Sequence, residues 1–94
     1  MNLDEAKRLI RLIAKGSGFI RTTRHCRERM GERGVSQVDL QQALLWGELS
    51  ELRQDQDHWN WKCTICGDDL DGESLTIQVA LWPEESAVVC ITVY

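Results

Sequence analysis

The spacing of the apolar residues changes once along this chain, close to Gly47. Before that glycine, apolar residues recur every three to four positions, which is the period of an amphipathic helix. After it they recur at every second position, which is the period of a half-buried strand. Helices that precede consecutive strands are typical of an α+β fold. We therefore expect N-terminal helices packed on one face of an antiparallel sheet of about four strands.

Local signals place the boundaries of these elements. Ser36 and Asp39 have the spacing of a capping box, so a helix is expected to begin just after Ser36. Helices are predicted over residues 3–15, 24–33 and 37–46, with a short β-leaning stretch at 19–23, and strands near 48–54, 58–65, 75–81 and 87–94. The last strand is apolar on both faces, which predicts a central position in the sheet.

The length of 94 residues predicts a single domain over 1–94. The apolar run at residues 87–91 is far shorter than the roughly 20 residues that cross a bilayer, so no membrane partner is expected. The polar, acidic start of the sequence lacks the features of a signal peptide, and a cytoplasmic location is therefore predicted. Cysteines in that compartment are expected to be reduced thiols.

Charge is distributed unevenly along the chain. Residues 1–34 contain nine Lys and Arg against four Asp and Glu, whereas residues 35–94 contain two against eleven. A basic segment on an acidic body is compatible with a local site for an anionic ligand. The same charge distribution argues against a protein that binds non-specifically along a long stretch of nucleic acid.

The most informative motif is a set of three residues spaced four apart, His25, Arg29 and Arg33. On a helix, this spacing places one imidazole and two guanidinium groups along the same side. An imidazole can transfer a proton near neutral pH, and arginines can bind a phosphate and stabilise its developing charge. This group suits phosphodiester chemistry without a metal or other cofactor. Arg21, Arg24 and Arg27 extend the basic surface and are candidate substrate-binding residues.

A purely structural explanation of the same residues also stands. The helix could present an ordinary solvated face, with Arg24 near Glu28 and Arg29 near Glu32 as weak surface ion pairs. His25 would then be hydrogen-bonded to the sheet. The spacing alone does not separate this interpretation from the catalytic one.

The cysteines and aromatic residues allow further interpretations. Cys63 and Cys66 form a CxxC motif without a second such pair, so ordinary thiols are favoured over a zinc site. The candidates for completing a zinc site are Cys26, Cys90, His25 and His58. Trp59 and Trp61 are predicted on one strand face, either in the core or as a stacking surface for bases. Thr92 and Tyr94 are predicted to share a face with Cys90 and to border a cleft with His25.

Several motifs together resemble one known family. Residues 23–36 read Thr-x-His-x-x-x-Arg-Met-x-x-Arg-Gly-Val-Ser, a Gly-Glu step follows at residues 47–48, Asp71-Gly72 forms a turn, and residues 90–94 close the chain as Cys-Ile-Thr-Val-Tyr. This combination resembles the family called domain of unknown function 4258. The resemblance covers about residues 19–94 and leaves the helix at 3–15 as an addition.

The resemblance implies a fold and an activity. The family resembles a branch of the small bacterial ribonuclease fold that RelE-type and MqsR-type toxins share. Members of the family can lie beside YgiT/MqsA-like zinc-finger antitoxins. It implies a type II toxin that cleaves RNA through attack by the ribose 2'-hydroxyl. His25 would transfer the proton, Arg29 and Arg33 would bind the phosphate, and Thr92 with Tyr94 would contribute from the neighbouring strand.

Three hypotheses about function follow from the sequence. The first is a metal-independent endoribonuclease with an antitoxin-like partner. The second is a non-catalytic interaction module that binds RNA or a protein through the basic helix. The third is a binding domain stabilised by zinc at Cys63 and Cys66.

Overall fold

The strands of this protein form one five-stranded sheet flanked by three α-helices, as seen in a computed structural model that describes residues 1–57 and 59–94. The helices are α1 (Leu3–Leu12), α2 (Arg24–Arg33) and α3 (Gln37–Trp46), and the strands are β1 (Phe19–Thr22), β2 (Glu48–Asp55), β3 (Asn60–Asp68), β4 (Ser74–Trp82) and β5 (Ala87–Val93). A π-helical turn, Ile13–Ser17, continues α1, and a 3-10 turn, Pro83–Glu85, precedes β5. The predicted α+β class is confirmed.

The sheet has one strand more than predicted, in the order β1-β5-β4-β3-β2. β2, β3, β4 and β5 form the expected antiparallel meander, and β5 is an interior strand with a neighbour on each side, not an edge strand, although β4 is the central one. The additional strand, β1, pairs in parallel with β5 at the edge of the sheet. A parallel neighbour requires a long crossover, which here consists of all the elements between β1 and β5. A four-residue stretch carries too little periodicity to predict such a distant partner.

The core lies between one face of the sheet and the helices α1 and α3, and Cys26 and Met30 of α2 also belong to it. Its fully buried side chains include Ile10, Leu40, Cys63, Ile77 and Val88. The predicted capping box at the start of α3 is present, with reciprocal hydrogen bonds between Ser36 and Asp39. No helix in the described part of the chain is long and apolar enough to cross a membrane.

A β-bulge in β5 corrects the predicted orientation of the last residues. Val79 of β4 lies opposite Cys90, whereas the preceding residue, Gln78, lies opposite Thr92, so Ile91 is the extra residue. An extra residue reverses the alternation of side chains along a strand. Cys90 therefore faces the helices, and Thr92 lies on the opposite face. The prediction that Thr92 shares a face with Cys90 is wrong, because it assumed an unbroken period of two.

The start of β3 also differs from the prediction. Trp59 precedes the strand, has a positive φ of 57° and is 83% exposed. Trp61, within β3, packs against the core. The two tryptophans therefore do not form a pair on one strand face. His58, the predicted start of this strand, lies outside the described residues.

Candidate functional site

The start of α2 is fixed to β5 by the side chain and backbone of Thr23. The Thr23 hydroxyl accepts a hydrogen bond from the Cys26 backbone N–H at 3.0 Å and donates one to the Ile91 carbonyl at 2.9 Å. The Thr23 N–H donates to the Cys90 carbonyl at 3.0 Å. Thr23 is thus both the N-cap of α2 and a link to the bulge in β5. This geometry sets where the first turn of α2 lies.

From that point α2 follows the last residues of β5. His25 Nε2 lies 3.1 Å from Thr92 Oγ1, and Arg33 Nη2 donates to the Ser74 carbonyl at 3.5 Å. Ser74 begins the strand beside β5, two residues before Thr76, which is bonded to Tyr94. Arg33 is eight positions after His25, so the two residues are about 12 Å apart along the helix axis. That distance matches about four residues of an extended strand, at roughly 3.3 Å each.

Of the two hydroxyls predicted to lie beside His25, that of Thr92 is in contact with it. Cys26 and Met30 bury the inner side of α2 in the core. His25 and Arg33 remain exposed, and Arg29 is partly exposed. Thr92 is 9% exposed, which is unusual for a polar side chain and gives its hydroxyl a fixed position. The imidazole is therefore held by the sheet at one atom while its ring is open to solvent.

The guanidinium groups of α2 have different partners. Arg24 pairs with Glu28 at 3.3 Å, and Arg29 pairs with Glu32 at 3.2 Å, as the structural interpretation of the helix predicts. Arg27 donates to the Thr22 carbonyl at 2.6 Å. These contacts are all at exposed positions. Exposed ion pairs contribute about 0–1 kcal/mol, so an incoming phosphate can displace a glutamate from Arg24 or Arg29.

Two of the other predicted residues, Tyr94 and Arg21, are not in contact with His25. Tyr94 is 52% exposed and bonds through its backbone to Thr76. In the described part of the chain, its hydroxyl makes no hydrogen bond to His25. Arg21 lies on the edge strand β1, where its guanidinium carbon is 5.7 Å from the centre of the Phe19 ring. Arg21 is therefore displaced from the helix that carries Arg24 and Arg27.

The sequence did not indicate a row of polar side chains across the sheet that ends at His25. Thr64, Gln78 and Thr92 lie directly opposite one another on β3, β4 and β5. Gln78 Nε2 donates to Thr64 Oγ1 at 3.1 Å. The row lies on the face opposite α1 and α3, and Thr64 and Gln78 are partly exposed. The alternation of polar residues in β3 and β4 was visible, but their register with Thr92 depends on the bulge.

The cysteines do not form a common site. All four are free thiols, and Cys63 is buried while Cys66 is exposed. Cys63 and Cys66 are three residues apart in β3 and point to opposite faces. No group of three or more potential metal ligands occurs among residues 1–57 and 59–94. This geometry does not favour a zinc site built on both cysteines.

Burial controls the reactivity of the thiols. It raises the pKa of Cys63 to about 12, and burial with the nearby Cys26 raises the pKa of Cys90 to about 12. Burial also raises the pKa of Cys26. The thiolate is the reactive form, so a shift of three pH units from the usual value near 9 lowers its population at neutral pH roughly a thousandfold.

We therefore expect iodoacetamide at neutral pH to modify Cys66 in the native protein and to leave the three buried thiols intact. Peptide mass spectrometry measures the modification at each cysteine. Unfolding in urea should make all four reactive, and Cys66→Ser should abolish labelling of the native protein. Equal rates at Cys63 and Cys66 would contradict the buried position of Cys63.

Comparisons with known proteins agree with the motif analysis. No curated protein and no solved structure matches this chain significantly. The family model described as Domain of unknown function (DUF4258) matches residues 22–94. The match includes α2, the polar row and β5, while α1 precedes it. The chain therefore belongs to the DUF4258 family.

Proposed function

We propose that this protein is a metal-independent endoribonuclease of the type II toxin kind. The observation that carries the proposal is the 3.1 Å contact between His25 Nε2 and Thr92 Oγ1. His25 is the first of the three residues spaced four apart along α2, and Arg29 and Arg33 follow it. The contact joins two segments that are 67 residues apart in the sequence. It gives an exposed imidazole a defined orientation on the helix that also carries Arg29 and Arg33.

The proposed reaction is an in-line displacement at phosphorus. The ribose 2'-oxygen forms a bond to phosphorus, and the bond from phosphorus to the 5'-oxygen breaks. His25 takes the proton from the 2'-hydroxyl or gives one to the leaving 5'-oxygen, and water or another group performs the complementary transfer. The products are a 2',3'-cyclic phosphate and a 5'-hydroxyl. The bonds and protons of this reaction balance without an oxidant, a reductant or a metal.

The neighbouring side chains support this role for His25. The Thr92 hydroxyl can donate or accept a hydrogen bond, so it can hold the imidazole in either protonation state. Arg29 and Arg33 lie one and two turns further along α2 and would bind the non-bridging phosphate oxygens. Arg24 and Arg27 would bind adjacent phosphates, Arg21 would extend that surface, and Tyr94 would contact a nucleotide at the end of β5.

The toxin interpretation includes further proposals about the whole protein. Its fold would be that of the RelE-type and MqsR-type ribonucleases, and its partner would be an antitoxin-like protein in the cytoplasm. The mixed sheet with helices on one face is compatible with this assignment. An antitoxin that inhibits cleavage would be expected to cover α2 and the end of β5.

The sharpest test uses the dependence on the 2'-hydroxyl. We expect chelator-treated protein to cleave a defined single-stranded RNA and to produce a 2',3'-cyclic phosphate. Replacing the nucleotide 5' of the cleaved bond with its 2'-deoxy form should abolish cleavage at that bond and leave other bonds unaffected. Mass spectrometry of the fragments identifies both features. Cleavage at the 2'-deoxy position would contradict the mechanism, and the same assay on translating ribosomes tests ribosome dependence.

A non-catalytic interaction module is the second candidate function. The ion pairs of Arg24 and Arg29 favour it, because they fit a helix face whose charges are already balanced. This module would bind RNA or a protein partner through α2 without cleaving it. Binding by chelator-treated protein without any cleavage, on free RNA and on ribosomes, would favour the module over the ribonuclease.

A further inference from the structure

The first helix carries a second group of basic side chains, away from α2. Lys7, Arg8, Arg11 and Lys15, here called the α1 basic cluster, line a depression of about 390 Å³ together with Asp4 and Leu12. The cluster precedes residue 22, where the family match begins. Neither the family nor the proposed active site accounts for it.

Part of the positive charge in this cluster is balanced by Glu48, whose pKa is lowered by its hydrogen bond to Lys7 and by the charges of Lys7 and Arg11. Lys7 donates to Glu48 at 2.9 Å. Arg8 and Lys15 are exposed and have no hydrogen bond or ion pair within residues 1–57 and 59–94. Arg11 is partly buried, and its Nε is shielded from solvent without a hydrogen-bond partner in the same residues. Arg8 and Lys15 are therefore available to an anionic ligand, and the Nε of Arg11 adds a hydrogen-bond donor without a partner in these residues.

The chemistry of the cluster favours phosphates over a protein surface. Protein interfaces bury aromatic and apolar anchors and are depleted of lysine at their centres. The depression instead has four cationic side chains, one aspartate and a single leucine. On a chain with a net charge of −4, a local group of positive charges attracts a polyanion to that group rather than to the whole surface.

The first helix and its continuation extend from one edge strand of the sheet, β2, to the other, β1. α1 contacts β2 and α3, while its π-helical continuation contacts β1. α2 begins directly after β1. The molecule is 32 Å along its longest axis, so a strand of about ten nucleotides, at about 3.4 Å for each stacked nucleotide, can extend across it.

We propose that the α1 basic cluster is a second RNA-binding site, which holds backbone phosphates of the strand that occupies the His25 site. This inference rests on the proposed function, since it assumes RNA as the substrate. Arg8 and Lys15 bind phosphates from exposed positions, and Arg11 contributes through its unpartnered Nε. The site makes no contact with the bases and adds affinity without sequence preference.

The test measures binding separately from cleavage. The probe is an uncleavable 2'-O-methyl RNA of about twelve nucleotides, whose dissociation constant is measured at several salt concentrations. Arg8→Gln and Lys15→Gln should each lower the slope of log K against log salt by about 0.7, the value for one phosphate contact on a single strand. Arg53→Gln is the matched control, because Arg53 is an exposed arginine on β2, outside both basic surfaces. It should leave the slope unchanged.

The length of the probe provides a second criterion. Binding of an RNA of about four nucleotides, which cannot reach both sites, should be unaffected by Arg8→Gln and Lys15→Gln. Unchanged slopes with the longer RNA, or no binding of that RNA by the wild type, would overturn the inference. Altered slopes without any RNA cleavage would uphold the second binding site and reject the ribonuclease. Gln is as good a helix former as Arg and Lys, so these variants should fold.

Discussion

His25→Ala is expected to lower the rate of RNA cleavage by about 10²- to 10⁴-fold, the usual contribution of a general acid or base. The imidazole is exposed, and its one hydrogen bond among residues 1–57 and 59–94 is to the Thr92 hydroxyl at 3.1 Å. Loss of one such bond costs about 0.5–1.5 kcal/mol of folding free energy, so the variant should remain folded. Single-turnover cleavage by chelator-treated protein measures the rate, and thermal unfolding monitored by circular dichroism checks the fold.

Thr92→Val extends this test to the residue that positions the imidazole. Valine keeps the shape of threonine but removes the hydroxyl, so the ring loses its fixed orientation while the transferring group remains. We expect a smaller decrease in cleavage than for His25→Ala and an altered pH profile. The double variant should be no slower than His25→Ala, because Thr92 acts through His25. Equal cleavage by wild type and folded His25→Ala would place the activity elsewhere or in a contaminant.

The contact between His25 and Thr92 shows what the sequence can establish about the site. Helical spacing placed His25, Arg29 and Arg33 on one side of a helix, and the structure has that helix as α2. Those features depend on residues that are close in sequence. The partner of His25 is 67 residues away, and its selection depends on the parallel pairing of β1 with β5. Only the packed structure decides this pairing.

The bulge at Ile91 explains why the details around Thr92 were not predictable. Cys90 and Thr92 are two residues apart, so an unbroken strand would place both side chains on one face. Burying both on the helix face would leave the Thr92 hydroxyl in the apolar core. The extra residue places Cys90 in the core and Thr92 beside His25. A bulge next to a candidate active site is a common way of directing a side chain.

The close contact between α3 and β3 depends on a glycine at the end of the helix. A Cβ atom built on Gly47 would lie 2.5 Å from the Ala43 carbonyl oxygen, 2.8 Å from Ile65 Cγ2 and 3.0 Å from the Cys66 carbonyl oxygen. Two of these neighbours are backbone atoms, and the Ala43 carbonyl also accepts the hydrogen bond from the Gly47 N–H at 2.8 Å. The φ of Gly47 is −72°, which any residue can adopt, so lack of space is the reason for glycine here.

Gly47→Ala is therefore expected to lower the free energy of unfolding by about 1–3 kcal/mol or more, as overpacked cores do. Gly31→Ala is the matched control, because the same added methyl group meets no atom within 4 Å on the exposed side of α2. Replacing a glycine inside a helix with alanine should stabilise the protein by about 0.5–1 kcal/mol. Urea unfolding of both variants measures the difference. If Gly47→Ala were as stable as Gly31→Ala, α3 and β3 would not be in the close contact described, whereas opposite effects would establish that the contact tolerates only a glycine.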